Sequence, residues 1–578
     1  MKATIQFDNK ILEAHLNKST IVDELYVMFT LEQTATYARL KLDVHPKQDI
    51  LLQSIDIQLD TPLDKIHDRL FCNGFQTWSE SRLYHFNEIP DGLKWFAKPL
   101  MGYYGDYHFD FIPRKKGILH SWSYSYIDNN NSGTIQFIGS LNDHTGFTCL
   151  LYDADNQRVT IKKDVENLHL AHSFPAIDVL IMKGSESAVF DTYFDLQKIK
   201  IPQQQPATGW TSWYNYYTNI SEKIIVDNLN AFKEKDISID YFQIDDGWET
   251  CVGDWLSVKE SFPNGLAKMA QLIHNQGFKA SLWLAPFIVE PKSYIFQNKP
   301  DWVLKGKDNK PLKVGMAPHW SGWRQPFFYA LDFYNKEVQE YLTGVFHTVL
   351  QKWGFDMVKL DFLYAVCVMP RPNKTRGQIM HDAMAFLRHV VGNKILLGCG
   401  VPLASAFGLV DYCRIGADIH LSWEHKFLKF LKNRERMSTI VALRTTLGRW
   451  QLNGRAFQSD PDVFILREKN QQLTQHQRHT VFIIHVLLGN LLFCSDKIDD
   501  YTRLDGRQAE GGELDEYKTM FQYLNRKIIN VKNHDNDFYT ILFEFEGVTK
   551  RVYCNLSSKS VVIEGLNIEA FQSVETTL

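Results

Sequence analysis

The sequence predicts a multidomain α/β plus all-β protein: an N-terminal β-sandwich, a central (β/α)8 TIM barrel and a C-terminal antiparallel β-sheet domain. Three observations predict it. Short alternating segments fill the first 190 residues or so, a strand–helix rhythm starts near residue 208, and alternation returns beyond about 528. At 578 residues the chain exceeds what one small core can organise. The expected units are 1–202 (sandwich with linker), 203–527 (barrel) and 528–578 (tail sheet).

In the first unit ATIQFD, LYVMFTLEQ, YARLKLDV, GTIQFIGSL, FTCLLYDA and RVTIKKDV alternate with period two, and turn clusters such as DNNNSG separate them. DTYFDLQKIK reads as a short helix, and IPQQQPATG as a linker. Eight apolar strands follow: TGWTSWY, YFQIDD, KASLWLAP, MVKLDFL, KILLGCG, YCRIGAD, RAFQSD and NLLFCSD. Helical periods lie between most of them, among them EKIIVDNLNAFKEK, GLAKMAQLIHNQ, KEVQEYLTGVFHTVLQKW, IMHDAMAFLRHVV and QHQRHTVFIIHVLL, with ELDEYKTMFQYLNRK after the last. This count fits a closed parallel barrel. A doubly wound open sheet is the alternative, but it more often carries a Gly-rich phosphate turn after its first strand, which GWTSWY is not. FYTILFEFEG, TKRVYCNLS and KSVVIEGL make the tail sheet.

Hydrophobic residues make up 44% and charged residues 22%, ordinary for a globular protein. A net charge of −4 with no basic stripe argues against a nucleic-acid partner. No run approaches the roughly 18 apolar residues of a membrane span, so no membrane partner is expected. The N-terminus lacks a signal-peptide apolar core, and the eight cysteines are scattered without a C-x-x-C pair. The expectation is a reduced, cytoplasmic protein with neither metal nor cofactor. The 14 Trp and 25 Tyr suit a large core, and also suit sugar faces.

Candidate chemistry sits where apolar runs stop: Asp245 and Asp246 in YFQIDDGWE, Asp361 in MVKLDFLY and Asp418 in YCRIGADIH. In a parallel barrel these strand ends open on one face, and two carboxylates converging there are what glycosidic hydrolysis needs. Side chains at i and i+2 share a strand face. Lys359 therefore projects with Asp361, and Arg414 with Asp418. Lys359 is expected to hold Asp361 ionised, as a nucleophile must be, although a structural ion pair is the alternative. Asp418 would serve as the acid, its proton held by burial or by the charge of Asp361; a helix cap or loop ligand is its alternative. The adjacent Asp245 and Asp246 could grip two sugar hydroxyls or a divalent cation. Trp210, Trp213, Tyr214, Trp248 and Trp283 surround these positions, and Trp320, Trp323 and Arg324 sit in a long insertion. The loop FCNGFQTWSESR, with Asn73, Phe75 and Trp78, is either core or reaches the barrel mouth.

The ordered series GWTSWY, FQIDDGWE, DWLSVKESFP, LWLAPF, VKLDFLYA, LGCGVPL, RIGAD and DPDVFILR, with NGFQTW before it, resembles glycoside hydrolase family 36, most of all its short bacterial and archaeal α-galactosidases. The resemblance spans most of residues 205 to 500. It implies a retaining α-galactosidase acting on terminal α-linked galactose of small raffinose- or melibiose-type oligosaccharides, and often a homo-oligomer. By position, Asp361 matches the nucleophile and Asp418 the acid/base. Asp245 and Asp246 match the pair binding the galactose O4 and O6 hydroxyls, and Lys359 and Arg414 match residues bonding ring hydroxyls. Trp283, Trp213 and Cys399 match pocket-lining positions, and Trp78 a tryptophan donated by the N-terminal domain. An α-N-acetylgalactosaminidase with the same machinery is the near alternative, and a non-catalytic sugar-binding protein the distant one.

Overall fold

The computed structural model describes residues 1–129, 133–200, 202–501 and 512–578. Residues 130–132, within the DNNNSG turn cluster, and Ile201, at the start of the expected linker, lie outside the described residues.

The first part of the chain folds as two antiparallel sheets, of seven and eight strands. Alternation explains them. In Lys2–Phe7, Ala3, Ile5 and Phe7 are buried while the residues between them are half-buried. Ile5 and Phe7 of the seven-stranded sheet share a core with Val27, Phe29 and Leu42 of the eight-stranded one. The helix expected over 191–200 starts earlier, at Glu186–Leu196, because the Ser185 hydroxyl accepts the Ala188 N–H and caps it.

The central sheet is parallel and curled. Its strands, in chain order, are Ala207–Thr211, Tyr241–Ile244, Lys279–Leu284, Met357–Leu360, Ile395–Gly398, Tyr412–Arg414, Gln458–Asp460, Val463–Phe464 and Leu491–Cys494. All eight expected strand strings are present. The seventh, RAFQSD, is only half of its strand. Gln458–Asp460 pairs with Tyr412–Arg414, and Val463–Phe464, two residues further on, pairs with Leu491–Cys494. These two short strands are the opposite ends of the nine-stranded sheet, so the sheet curls until its ends meet within one segment. Helices Glu222–Glu234, Gly265–Asn275, Lys336–His347, Arg376–Val391, Thr439–Gly448 and Gln475–Leu488 follow successive strands. Capping boxes at Thr375 and Thr474 open two of them. Between Ile395–Gly398 and Tyr412–Arg414 there is only a short 3-10 turn, Leu403–Ala406. The insertion after the third strand carries a small antiparallel sheet of Ile288–Val289, Phe327–Ala330 and Lys313–Met316.

The tail forms a four-stranded antiparallel sheet. Its turn is tied to the rest of the chain by Asp535, which accepts from Arg69 at 2.6 Å, and by Asp537, which takes two 2.7 Å bonds from Arg444.

Candidate active site

Several of the parallel strands end in or next to a polar residue, among them Asp245, Asp361, Arg414 and Asp460. Trp283 lies beside Lys359 in register, and Lys359 reaches past it to Asp245, at 2.9 Å. The direct bond of Lys359 thus goes to Asp245 rather than to Asp361, which rules out the structural Lys359–Asp361 ion pair, while its charge still acts on Asp361. The inner face of a curled sheet is layered by alternate strands, so the second and fourth strands meet there. The same Asp245 oxygen accepts from Gln243 at 2.8 Å and Thr211 at 3.3 Å. Burial opposes the Lys359 charge, but Asp245 holds the ammonium well above its ordinary value. A cation therefore already occupies the Asp245 carboxylate.

Asp361 follows Leu360 directly, and the chain then turns sharply: Phe362 is left-handed, at φ 53°, a strained conformation for a bulky side chain. The turn brings the Phe362 N–H to one Asp361 oxygen at 2.9 Å, while Trp283 Nε1 donates to the other at 3.1 Å. Asp361 is only 9% exposed. Burial pushes its carboxyl up, Lys359 pulls it down, and the nearby charge of Asp418 raises it again. Lys359 thus acts on Asp361 in the expected direction, with burial the larger and opposite effect.

Asp418 lies beyond the sixth strand and accepts from Arg414 at 2.6 Å. It is not deeply buried; its side chain keeps 30% of its exposure. Arg414 also meets Asp462 at 2.8 Å and Asp460 at 3.3 Å. One guanidinium thus serves three carboxylates, and it is not free in the way a purely sugar-directed arginine would be.

Asp246 accepts from Trp320 Nε1 at 2.8 Å, so the insertion reaches the rim. Burial, helped by the charge of Asp245, lifts its carboxyl to about 6 against the hydrogen bonds of Glu249 and Trp320, while burial and the charge of Asp246 push the Glu249 carboxyl well up. Two buried carboxyls in contact share a proton. Gly247, between them, has φ 114°, and a Cβ there would meet the Thr218 backbone at 2.7 Å.

Trp78 comes from the first part of the chain. Its Nε1 donates to Cys399 Sγ at 3.4 Å, and its ring packs edge-on against Phe362 and Tyr364. Burial pushes the Cys399 thiol up. Gly400 makes room: its φ is +59°, and a Cβ would lie 2.9 Å from the indole. Arg449 fixes the loop by donating to Asn73 Oδ1 at 3.0 Å and to the carbonyl of Thr77 at 2.8 Å. Trp213 is half-buried, edge-on to Tyr217 at 5.2 Å. Trp210 and Trp248 are core residues, and Trp323 is 81% exposed.

Asp245, Asp246, Lys359, Asp361, Cys399, Arg414 and Asp418 therefore lie at or next to strand ends, with Trp78, Trp213 and Trp283 beside them. Phe362, Glu249, Asp460 and Asp462 went unnoticed. The last two were quoted only within the motif DPDVFILR, with no role attached to either.

Residues 198–393 match the melibiase family model. A curated α-galactosidase of Lactobacillus acidophilus is 27% identical over 199 residues, 33% of this chain and 24% of that protein. Among solved structures, an α-galactosidase of Thermus thermophilus in complex with p-nitrophenyl α-D-galactopyranoside superposes with a TM-score of 0.70 at 25% identity, covering 91% of this chain and 98% of that one. The chain is similar to α-galactosidases in sequence over its central part and in fold over most of its length. A family 36 α-galactosidase of Geobacillus stearothermophilus matches with a TM-score of 0.64 over 96% of this chain and 80% of that one; at 13% identity that likeness concerns the fold alone. A galactosaminidase of Flavonifractor plautii, named for A type blood α-D-galactosamine, is 27% identical over 221 residues, 35% of this chain and 20% of that protein. The chain thus spans about a quarter of the length of the curated relatives it matches. Among the described residues no helix is long and apolar enough to cross a membrane.

Proposed function

We propose that the protein is a retaining α-galactosidase working in an eight-stranded barrel, with Asp361 as nucleophile and Asp418 as acid/base. One observation carries this reading: Asp361 and Asp418 stand on one rim of the sheet, close enough for the charge of one to act on the other, beside the acidic pair Asp245 and Asp246. An Asp361 oxygen attacks the anomeric carbon while the C–O bond to the leaving group breaks and Asp418 gives that oxygen its proton. Asp418 then takes a proton from water, whose oxygen displaces Asp361. Two inversions give net retention and require carboxyls about 5–5.5 Å apart. The phenyl galactoside bound by the Thermus enzyme, and the stachyose of a second structure of it, support a terminal galactose on small oligosaccharides as substrate. Because Asp361 must be ionised and Asp418 protonated, activity should follow a bell-shaped pH profile, with Asp361 on the acid limb.

Proton NMR of the first-formed sugar tests the reading: α-galactose is expected, and β-galactose would overturn the double displacement. The Flavonifractor relative favours one second reading, an enzyme that takes N-acetylgalactosamine. Rates on the two nitrophenyl glycosides decide between them.

A further inference from the structure

Arg414 presents a problem. An acid must hold a proton for the leaving group, yet Asp418 is bonded to a guanidinium at 2.6 Å. The geometry around the split seventh strand resolves it. Asp462 sits between the two halves of that strand, buried, with φ 82°. Its N–H donates to Asp460 Oδ1 at 2.8 Å, and its own Oδ2 accepts from the Ile419 N–H at 2.8 Å and from the Tyr214 hydroxyl. Ile419 is the residue after Asp418, so Asp462 grips the acid/base through the backbone as well as through Arg414. The groups facing it are Arg414, Asp418, Asp460 and Tyr214. His485, on the helix behind, faces Arg414 with a ring that burial keeps neutral, down at about 3. Burial pushes the Asp462 carboxyl up to about 7, against the pull of Arg414, so it can gain or lose a proton near neutrality.

Resting on the reading above, we propose that Asp462 is a positioning residue that sets the proton affinity of Asp418 by competing with it for Arg414. When Asp462 is ionised, it draws the guanidinium and its own charge disfavours a second anion at Asp418, which then keeps its proton for the leaving group. When Asp462 is neutral, Arg414 turns its charge on Asp418.

Asp462→Asn tests this. Asn adopts left-handed backbone about as readily as Asp. Its alkaline limb of kcat/KM on raffinose should move about one pH unit to lower pH. At pH 7.5 turnover of raffinose should fall about tenfold, while an aryl galactoside with a good leaving group, which needs no proton, should be hydrolysed within about twofold of wild type. Equal losses on both substrates with an unmoved limb would overturn the proposal, since that is what a structural defect produces. Should Asp462→Asn not fold, Tyr214→Phe removes the hydroxyl that favours ionised Asp462; its limb should move the same way by a smaller amount, and an unmoved limb there also overturns the proposal. A wild-type protein inactive on every α-galactoside would instead sink the functional reading, and this proposal with it.

Discussion

The two flanks of the pocket handle charge differently. On one, cation and carboxylate are matched one to one: Lys359 closes on Asp245, and Asp361 stands beside them with two N–H donors and almost no exposure. On the other, Arg414 is divided among Asp418, Asp460 and Asp462, and Asp418 keeps contact with solvent. A nucleophile gains from a dry, fixed setting, because its attack depends on orientation. An acid that becomes a base must exchange protons with water, and a surplus of carboxylates around one cation lets a proton move without stranding a charge. The contrast fits the roles proposed for Asp361 and Asp418.

Three variants test that contrast, in decreasing order of effect. Asp361→Ala should lower turnover by at least about four orders of magnitude, with circular dichroism unchanged and thermal stability unchanged or higher, since a desolvated carboxylate is removed. Near-wild-type turnover would exchange or abolish the assigned roles. Lys359→Met leaves Asp245 buried without its cation and should lower stability by about 3–5 kcal/mol in denaturant titration. A negligible change would show that the matched flank is not an ion-pair core. Asp246→Asn addresses pH. A carboxyl raised in the fold contributes stability below the unfolded value, near 3.8, and that contribution is lost as pH rises through about 6. The variant should therefore be more stable than wild type at pH 8, by about 3 kcal/mol, and equal to it at pH 4, while binding galactose less well. A stability difference that does not grow with pH would remove the shared proton between Asp246 and Glu249.

The strand ends were legible because an aspartate that stops an apolar run has few structural uses. Asp361 and Asp418 stood out for that reason, and so did the acidic pair. The partner of Lys359 was not legible. Period-two reading reports only what shares a face of one strand, whereas the ion pair joins the second strand to the fourth across Trp283. Asp462 was hidden because DPD is common in turns, and nothing local shows that its strand is split and closes the sheet. Glu249 was hidden by its position three residues past Asp246, in a stretch that looks like an exposed turn. The NGFQTW loop was suspected at the mouth, yet its anchor, Arg449, lies 376 residues from Asn73 in the chain.

That distance has a consequence for how the protein comes into being. Trp78 is synthesised early, but its seat at Cys399 and Gly400 follows only 321 residues later, and the clamp at Arg449 later still. On the ribosome the NGFQTW segment must wait through more than half of translation with only Tyr104 made soon enough to meet its indole. Contacts of such separation are slow to form, so catalytic competence should arrive late and all at once, when the second half of the chain emerges and seats a side chain made long before.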